Sequence, residues 1–322
     1  MDVASFCTES RVLVVAGKGG VGKTTVAATF ARMAGEAGLS VLVVELEGRP
    51  GLGAAFGQPG PLGYDETTLL TTTHGGVRGR RITPDDALLE YLADHGLQRV
   101  SRRLVSSGLV DVVATAIPGI RDVLVLGKIK QLERDRVADL IVVDAPATGH
   151  AVTFLTSAAG LLDAARSGPV RAQAADVVEL LRDPARCRVL LVTLPEEMPV
   201  SETVEAAYLL EDRAGVQLGP VVVNGWDEPP SGLATAAAQA AEAAGVVLPA
   251  DEEAALEAAR AFRLRRCELA RAQVEVLARE LPLPQLRLPV LEAPSIGPDQ
   301  LERLAGALAE GVAALSAQWG AA

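Results

Sequence analysis

A glycine-rich loop between a strand-like run and a helix-like run constrains the fold of this chain more than any other feature. Residues 17–25 read GKGGVGKTT; they follow the apolar run Arg11–Ala16 and open the Ala-rich stretch Lys23–Ala37. The spacing G-x-x-x-x-G-K-[ST] in a strand–loop–helix context is typical of a phosphate-binding loop. In such a loop the backbone N–H groups turn towards phosphate oxygens at the positive end of a helix. The loop therefore predicts a nucleotide phosphate site in a fold of strands and helices.

Residue types within the loop predict what each position does. Lys23 is expected to place its charge on the β- and γ-phosphates, and the hydroxyl of Thr24 to ligate Mg²⁺. We therefore expect ATP or ADP, with Mg²⁺, as the bound ligand. The loop residues expected to bind the nucleotide are Gly19, Gly20, Val21, Gly22, Lys23, Thr24 and Thr25.

Short β-branched runs alternate with long Ala- and Leu-rich stretches along the chain, which is the pattern of a parallel sheet covered by helices. The predicted fold class is α/β: a P-loop NTPase with a mostly parallel sheet, helices on both faces and a helical insertion at 85–135 within one domain over 1–322. We expect strands at Arg11–Ala16, Ser40–Leu46, Val77–Ile82, Ala138–Asp144, Arg188–Thr193, Leu218–Asn224 and Gln285–Pro289. We expect helices at Lys23–Ala37, Asp85–His95, Val123–Arg134, Val152–Ala165, Val170–Arg182, Pro199–Ala214, Gly232–Ala244, Ala254–Glu280 and Pro298–Ala317. The Gly-, Pro- and Thr-rich stretch Gln58–Gly79 is interpreted as a loop.

Acidic residues follow two of the predicted strands. Asp144 closes the apolar run that begins at Ala138, which is the Walker B form, and it is expected to organise Mg²⁺ and its waters. Glu45 and Glu47 follow the second strand. An acid at this place either orients the attacking water or holds Mg²⁺ through water, or it is a solvated strand end.

The loop carries a second lysine, Lys18, and the form GKGGVGKT resembles the deviant Walker A loop of a class of dimeric nucleotide switches. That class includes the arsenite-pump and tail-anchored-protein targeting ATPases. In them the extra lysine reaches across the dimer to the partner's nucleotide. The resemblance implies this role for Lys18; the alternative is a solvated loop lysine.

Later motifs resemble the arsenite-pump and tail-anchored-protein targeting family in particular. Residues 144–150 read DAPATGH, close to the family's switch sequence D-T-A-P-T-G-H, and the resemblance implies that Gly149 approaches the γ-phosphate. Alignment on Leu52 and Phe56 puts Glu47 at the family's catalytic aspartate, which implies a role in orienting water and holding Mg²⁺. The longer side chain of Glu47 predicts either slow hydrolysis or a mainly structural subunit, because a misplacement near 1 Å costs about 10²-fold in rate.

The base of the nucleotide is assigned by the same resemblance. Val221–Asn224 resembles the strand whose terminal Asn pairs with adenine, and an amide offers the donor and acceptor that this requires. Asn224 could instead be a helix cap or turn residue. Pro289 and Val290 lie where the family has its adenine-packing loop.

Composition narrows the functional classes. The 30 Lys and Arg against 41 Asp and Glu give a net charge of −11, which disfavours nucleic-acid binding. Apolar runs fall short of the ~20 residues of a bilayer span, and the first residues lack the pattern of a signal peptide, so we expect a cytoplasmic protein without an integral membrane segment.

Three functions remain. The first is an ATP-hydrolysing dimeric switch of the resembled family, a homodimer or a heterodimer with a paralogue, with a protein client or membrane partner. The second is a nucleotide-binding regulatory or scaffold subunit with little turnover that pairs with a paralogous ATPase. The third is a metabolic kinase.

Overall fold

The structure, a computed structural model, describes residues 2–46, 51–94 and 119–319, and it leaves the side chains of residue 94, of 147–150 and of 316–319 undescribed. Glu47 and residues 95–118 of the predicted insertion therefore lie outside the described residues. The domain assignment, a single domain over 1–322 with an insertion at 85–135, stays a prediction.

Within the described ranges, one sheet of eight strands forms the centre of the molecule. Its order is β3-β4-β2-β5-β1-β6-β7-β8; β3 and β4 pair antiparallel and all other pairs are parallel. This confirms the predicted α/β class with a mostly parallel sheet. The strands are β1 Val12–Gly17, β2 Ser40–Glu45, β3 Thr67–Thr71, β4 Gly76–Arg81, β5 Leu140–Ala147, β6 Cys187–Thr193, β7 Val221–Trp226 and β8 Gln285–Pro289.

Helices cover both faces of the sheet, as predicted. Along β1, Val12 and Val14 pack in one core cluster while Leu13 and Val15 pack in the other, because successive side chains of a strand point to opposite faces. One face carries α1 Val3–Cys7, α2 Lys23–Glu36, α3 Leu52–Ala55 and α11 Pro298–Trp319. The other face carries α4 Pro84–Asp94, α5 Ile120–Arg134, α6 Thr148–Ala164, α7 Pro169–Arg182, α8 Glu197–Leu209 and α10 Ala250–Glu280. The short helix α9 Ala237–Ala244 has no buried residue and contacts α10.

Two strand predictions need correction. Gln58–Gly79 is not a continuous loop, since it contains β3 and the start of β4; the short edge strand β3 has only Leu69 buried, so its composition is that of an exposed segment. The strand predicted from Leu218 begins at Val221. Leu218 makes only an isolated bridge to Val189, because Pro220 has no N–H with which to continue the ladder.

Three helix predictions also need correction. Gly232–Ala244 is a 3₁₀ turn, Ser231–Ala234, followed by α9. The helix expected up to Ala214 ends at Leu209 and continues as a π turn, Leu210–Ala214. The long helix α10 starts at Ala250 rather than at Ala254. Among the described helices, none combines the length and apolar character that crossing a membrane requires.

Candidate functional site

The phosphate loop sits at the carboxyl end of β1, and three of its glycines have conformations that side chains rarely adopt. The φ angles of Gly17, Gly20 and Gly22 are +157°, +90° and +88°. A Cβ at Gly17 would also lie 2.4 Å from the carbonyl oxygen of Val192 on β6. Only glycine fits these positions, and the turn delivers the chain directly into α2 at Lys23. The strand–loop–helix geometry expected from the sequence is therefore present.

Lys23 folds back over the loop that it terminates. Its Nζ donates a hydrogen bond to the carbonyl oxygen of Lys18, 3.0 Å away. The Lys23 side chain extends from the first turn of α2, and its ammonium thus lies across the opening of the loop. The positive end of the α2 dipole also favours phosphate there. Gly19 and Gly20 belong to the same turn, and Val21 is buried beneath it.

The proposed metal residues Thr24 and Asp144 are in direct contact. The Thr24 hydroxyl donates to Oδ2 of Asp144 at 2.6 Å, although the two residues lie on α2 and β5. The other oxygen, Oδ1 of Asp144, is buried without a hydrogen-bond partner among the described residues. Burial raises the pKa of Asp144 to about 6, while the Thr24 hydrogen bond and the Lys23 charge act in the opposite direction.

Glu45 lies beside Asp144, at the end of the neighbouring strand. The two residues are Cα partners in the β2–β5 ladder. Glu45 is only 2% exposed. Neither of its carboxylate oxygens has a hydrogen-bond partner of normal geometry among the described residues, although the backbone N–H of Gly51 lies close enough to lower its pKa. Burial, and next the charge of Asp144, raises the pKa of Glu45 to about 7; Arg81 and the backbone at Gly51 act against this rise. The alternative of a solvated strand end is thereby wrong for Glu45.

These atoms form a donor set that suits a hard divalent cation. Mg²⁺ takes oxygen ligands and retains several waters, and here a hydroxyl and two buried carboxylates with unpaired oxygens converge at the phosphate loop. Buried carboxylates are normally paired or bound to a metal. The residues present therefore fit Mg²⁺ bound with a nucleotide.

Asn224 reaches the phosphate loop from β7. Its Nδ2 donates to the carbonyl oxygen of Val21 at 2.8 Å, and a Cβ at Gly22 would lie only 2.3 Å from the same nitrogen. The side chain thus supports the loop directly, a contact that the sequence did not predict. Its predicted pairing with adenine stays a prediction.

The predicted adenine-packing residues lie at the end of β8. Pro289 is the Cα partner of Trp226, and the N–H of Val290 donates to the Trp226 carbonyl oxygen at 3.0 Å. Val290, with Leu194 and Gly225, lines a cavity of about 590 Å³ at the carboxyl ends of β6, β7 and β8. Gly225, which lines this cavity, directly follows Asn224 in the sequence. The cavity therefore lies next to the residue that is predicted to pair with adenine.

Lys18 has a partner within its own subunit. Its Nζ lies 2.5 Å from Oε1 of Glu202 on α8. The sequence did not predict this pair, because only the fold brings Glu202 on α8 to the loop.

Some predicted site residues are not tested by this geometry. Glu47 lies outside the described residues. Gly149 falls in the first turn of α6, where only the backbone is described. Thr25 also lies in the first turn of α2, where its carbonyl oxygen accepts a hydrogen bond from Thr29 at 2.8 Å.

Comparison with known proteins agrees with the family resemblance. Residues 10–167 match the model of the anion-transporting ATPase family. This match covers just under half of the chain, and over that part the chain is similar to the family. The match begins just before β1 and ends just after α6, so it includes the phosphate loop, Glu45 and Asp144.

Relatives that match part of this chain are named as ATPases. The ATPase BagA of Mycobacterium tuberculosis is 42% identical over 224 residues, which cover 66% of this chain and 64% of that protein. The arsenical pump-driving ATPase of Escherichia coli is 28% identical over 225 residues, 67% of this chain and 35% of that protein. The ATPase get3 of Schizosaccharomyces japonicus is 28% identical over 148 residues, 46% of this chain and 44% of that protein. The matched region thus spans less than two thirds of the length of each of these relatives.

Proposed function

We propose that this chain is a Mg·ATP-dependent ATPase that acts as a dimeric switch, coupling nucleotide binding and hydrolysis to dimer opening and closing and to a partner or transport process. The observation that carries the proposal is the 2.6 Å contact between the Thr24 hydroxyl and Asp144 at the base of a phosphate loop spanned by Lys23. Similarity to the anion-transporting ATPase family over residues 10–167 supports the same activity. The partner is a second copy or a paralogue, with a protein client or a membrane protein downstream in the cytoplasm.

Each residue of the loop has a distinct task in this account. Backbone N–H groups of residues 19–25 bind phosphate oxygens, and the Lys23 ammonium exchanges the Lys18 carbonyl oxygen for the β- and γ-phosphates. Thr24 and Asp144 would hold Mg²⁺, which would neutralise charge that develops on the phosphates. Positioning and charge stabilisation supply most of the catalysis in phosphoryl transfer.

Water activation is assigned to Glu47 by the resemblance alone. The carboxylate would orient the attacking water, and it would do so slowly because Glu is one methylene longer than Asp. We expect Glu47→Asp to raise the hydrolysis rate of the purified chain. Rapid turnover by the unchanged protein would reject the second hypothesis, a regulatory subunit with little turnover.

Lys18 gives the switch its dependence on a partner. Its ammonium would leave Glu202 and contact the nucleotide of the other subunit, so that each site is complete only in the closed dimer. Asn224 and Val290 would hold adenine beside the 590 Å³ cavity.

An ATPase and nucleotide-binding assay tests the proposal. We expect wild-type protein to bind ATP with Mg²⁺ and hydrolyse it, and Lys23→Ala to lose about 10²–10³-fold in rate, the usual cost of removing one charge-stabilising donor. Lys130→Ala is the matched control, because Lys130 pairs with Asp176 on the far face of the sheet. Absence of nucleotide binding by wild-type protein, or hydrolysis by Lys23→Ala at the wild-type rate, would overturn the proposal.

A further inference from the structure

A second cavity, of about 220 Å³, lies between α4, α5 and α7 and is lined mainly by polar side chains. Its apolar lining residues Ala87 and Leu124 belong to the core cluster on one face of the sheet, whereas Val21 of the phosphate loop belongs to the cluster on the other face. The cavity is therefore separate from the candidate nucleotide site.

The charges around this cavity favour an anion. The charged residues that line it are Lys128, Lys130, Arg134, Glu90 and Asp176. Cations exceed carboxylates by one, in a chain whose net charge is −11. Lys130 forms an ion pair with Asp176, so that these two charges compensate each other. The positive excess is therefore supplied by Lys128 and Arg134.

Lys128 is a largely buried cation with one hydrogen-bond donor to spare. It is only 8% exposed, and its ammonium donates to Oε1 of Glu90 and, over 3.2 Å, to the side-chain oxygen of Gln131. The other oxygen of Glu90 accepts from the hydroxyl of Tyr64. An ammonium has three N–H donors, so the third has no acceptor among the described residues. A buried donor without an acceptor is costly, and an anion in the cavity would satisfy it.

Gln173 on α7 brings a neutral donor to the same cavity. Its side-chain amide has no hydrogen-bond partner among the described residues. The residue that faces it on α5 is Gly127, where a Cβ would lie only 1.8 Å from Nε2 of Gln173. A glycine inside a helix lowers stability relative to alanine, and here it leaves the space that the amide occupies.

Arg134 lies where the cavity meets solvent. Its side chain is 64% exposed, and its ion pair is with the adjacent residue Asp135 at 3.3 Å. An exposed pair of this kind is weak and is readily exchanged for another anion. The planar guanidinium group can also bind two oxygens of one carboxylate or phosphate group.

We propose that this cavity binds a small anion with carboxylate or phosphate oxygens, which Lys128, Arg134 and Gln173 hold by charge and hydrogen bonds. A volume of 220 Å³ corresponds to about seven molecules of liquid water at about 30 Å³ each, which suits a phosphate ion or a short dicarboxylate. Sites for larger ligands usually measure about 300–1,000 Å³. This site goes beyond the proposed function, because no residue of the phosphate loop contributes to it.

Calorimetric titration of the nucleotide-free full chain tests the site, with malonate and inorganic phosphate as separate probes in a chloride buffer. We expect at least one of them to bind with a dissociation constant of about 1 mM or below. Binding of malonate alone identifies a dicarboxylate site and binding of phosphate alone a phosphate site, and either supports the proposal. Because phosphate can also enter the phosphate loop, it is titrated into Lys23→Ala as well, which should keep the cavity site.

Variants at the cavity locate the bound probe. Gln173→Ala should bind it about 10-fold more weakly or worse, because a hydrogen bond to a charged group is lost, and the exposed Arg134→Gln about 5-fold more weakly. Lys128→Met keeps the apolar stem and should abolish binding; the two milder variants serve if it does not fold. Arg136→Gln is the matched control and should stay within about twofold of wild type, because it removes an exposed arginine near α5 that does not line the cavity.

Three results would overturn the proposal. The first is that wild-type protein binds neither probe. The second is that wild type, Arg134→Gln and Gln173→Ala bind the probe equally. The third is that malonate does not bind and Lys23→Ala loses all phosphate binding, since the phosphate then occupies the phosphate loop.

Discussion

Lys18 and Glu202 form an ion pair within one subunit, with Nζ 2.5 Å from Oε1 and both side chains about one-third exposed. Lys18 belongs to the phosphate loop and Glu202 to α8. The proposed contact of Lys18 with the nucleotide of a partner requires this ion pair to open. A partly exposed ion pair contributes only about 0–1 kcal/mol, so a closing dimer interface can readily offset its loss.

Substitutions at this ion pair should therefore act on association in opposite directions. Glu202→Gln is expected to strengthen dimerisation in the presence of a non-hydrolysable ATP analogue, by at most about fivefold, which corresponds to 1 kcal/mol. Lys18→Ala is expected to weaken it while ADP binding persists. Sedimentation equilibrium measures both, with Glu205→Gln on the exposed side of α8 as the control. Identical association of Glu202→Gln and Glu205→Gln would contradict the account.

Two glycines of the loop provide a second prediction. Gly20→Ala and Gly22→Ala both force an alanine into the left-handed region, at about 1–2 kcal/mol each. Only at Gly22 would the new methyl group also meet Asn224, at 2.3 Å. Gly22→Ala should therefore lower the free energy of unfolding of the nucleotide-free protein by a further 1–3 kcal/mol or so, the usual cost of overpacking. Urea unfolding measures the difference, and Asn224→Ala should relieve the additional loss in the double variant.

The two buried carboxylates predict a pH dependence. Folding raises the pKa of Glu45 from 4.5 to about 7 and that of Asp144 from 3.8 to about 6. Because the folded protein holds these protons more tightly, their contribution to stability is present below about pH 4 and is lost as pH rises through 6–7. Nucleotide-free wild-type protein should lose stability across this range, and Glu45→Gln should lose less.

Thermal unfolding at pH 5 and pH 7.5 tests this pH dependence. The melting temperature of the variant relative to wild type should rise by a few degrees between the two pH values. A constant difference would show that Glu45 does not titrate there.

Asn224 should serve both base recognition and loop support. Asn224→Ala removes the 2.8 Å hydrogen bond to Val21, which weakens binding of any nucleoside triphosphate, and it removes the predicted adenine contact as well. We expect ATP affinity to fall about 5–30-fold, the equivalent of one or two hydrogen bonds, and GTP affinity to fall less. Calorimetric titration with the two nucleotides measures both. An equal fall would leave Asn224 a support of the loop alone.

Much of the fold was predictable because its signals are local. Buried parallel strands are continuous apolar runs, and Arg11–Ala16 and Gln285–Pro289 identified their strands to within a residue. The edge strand Thr67–Thr71 was missed because a strand with one buried residue carries no such run. The phosphate loop was equally predictable, because its glycines and Lys23 lie within nine residues and together specify phosphate binding.

The rest of the site depends on contacts between distant segments. Whether Glu45 is a solvated strand end or a buried carboxylate is decided by what covers the end of β2, and 99 residues separate it from Asp144. The contacts of Lys18 with Glu202 and of Asn224 with Val21 join residues that are 184 and 203 positions apart. No spacing rule in the sequence predicts such pairs.

Sedimentation velocity of the purified chain, once with Mg·ADP and once with Mg²⁺ and a non-hydrolysable ATP analogue, tests the central claim most directly. Both nucleotides should bind, and the analogue alone should produce a compact, closed dimer that Lys18→Ala cannot form. Binding of both nucleotides with the same sedimentation coefficient in the two states would contradict a nucleotide-driven switch.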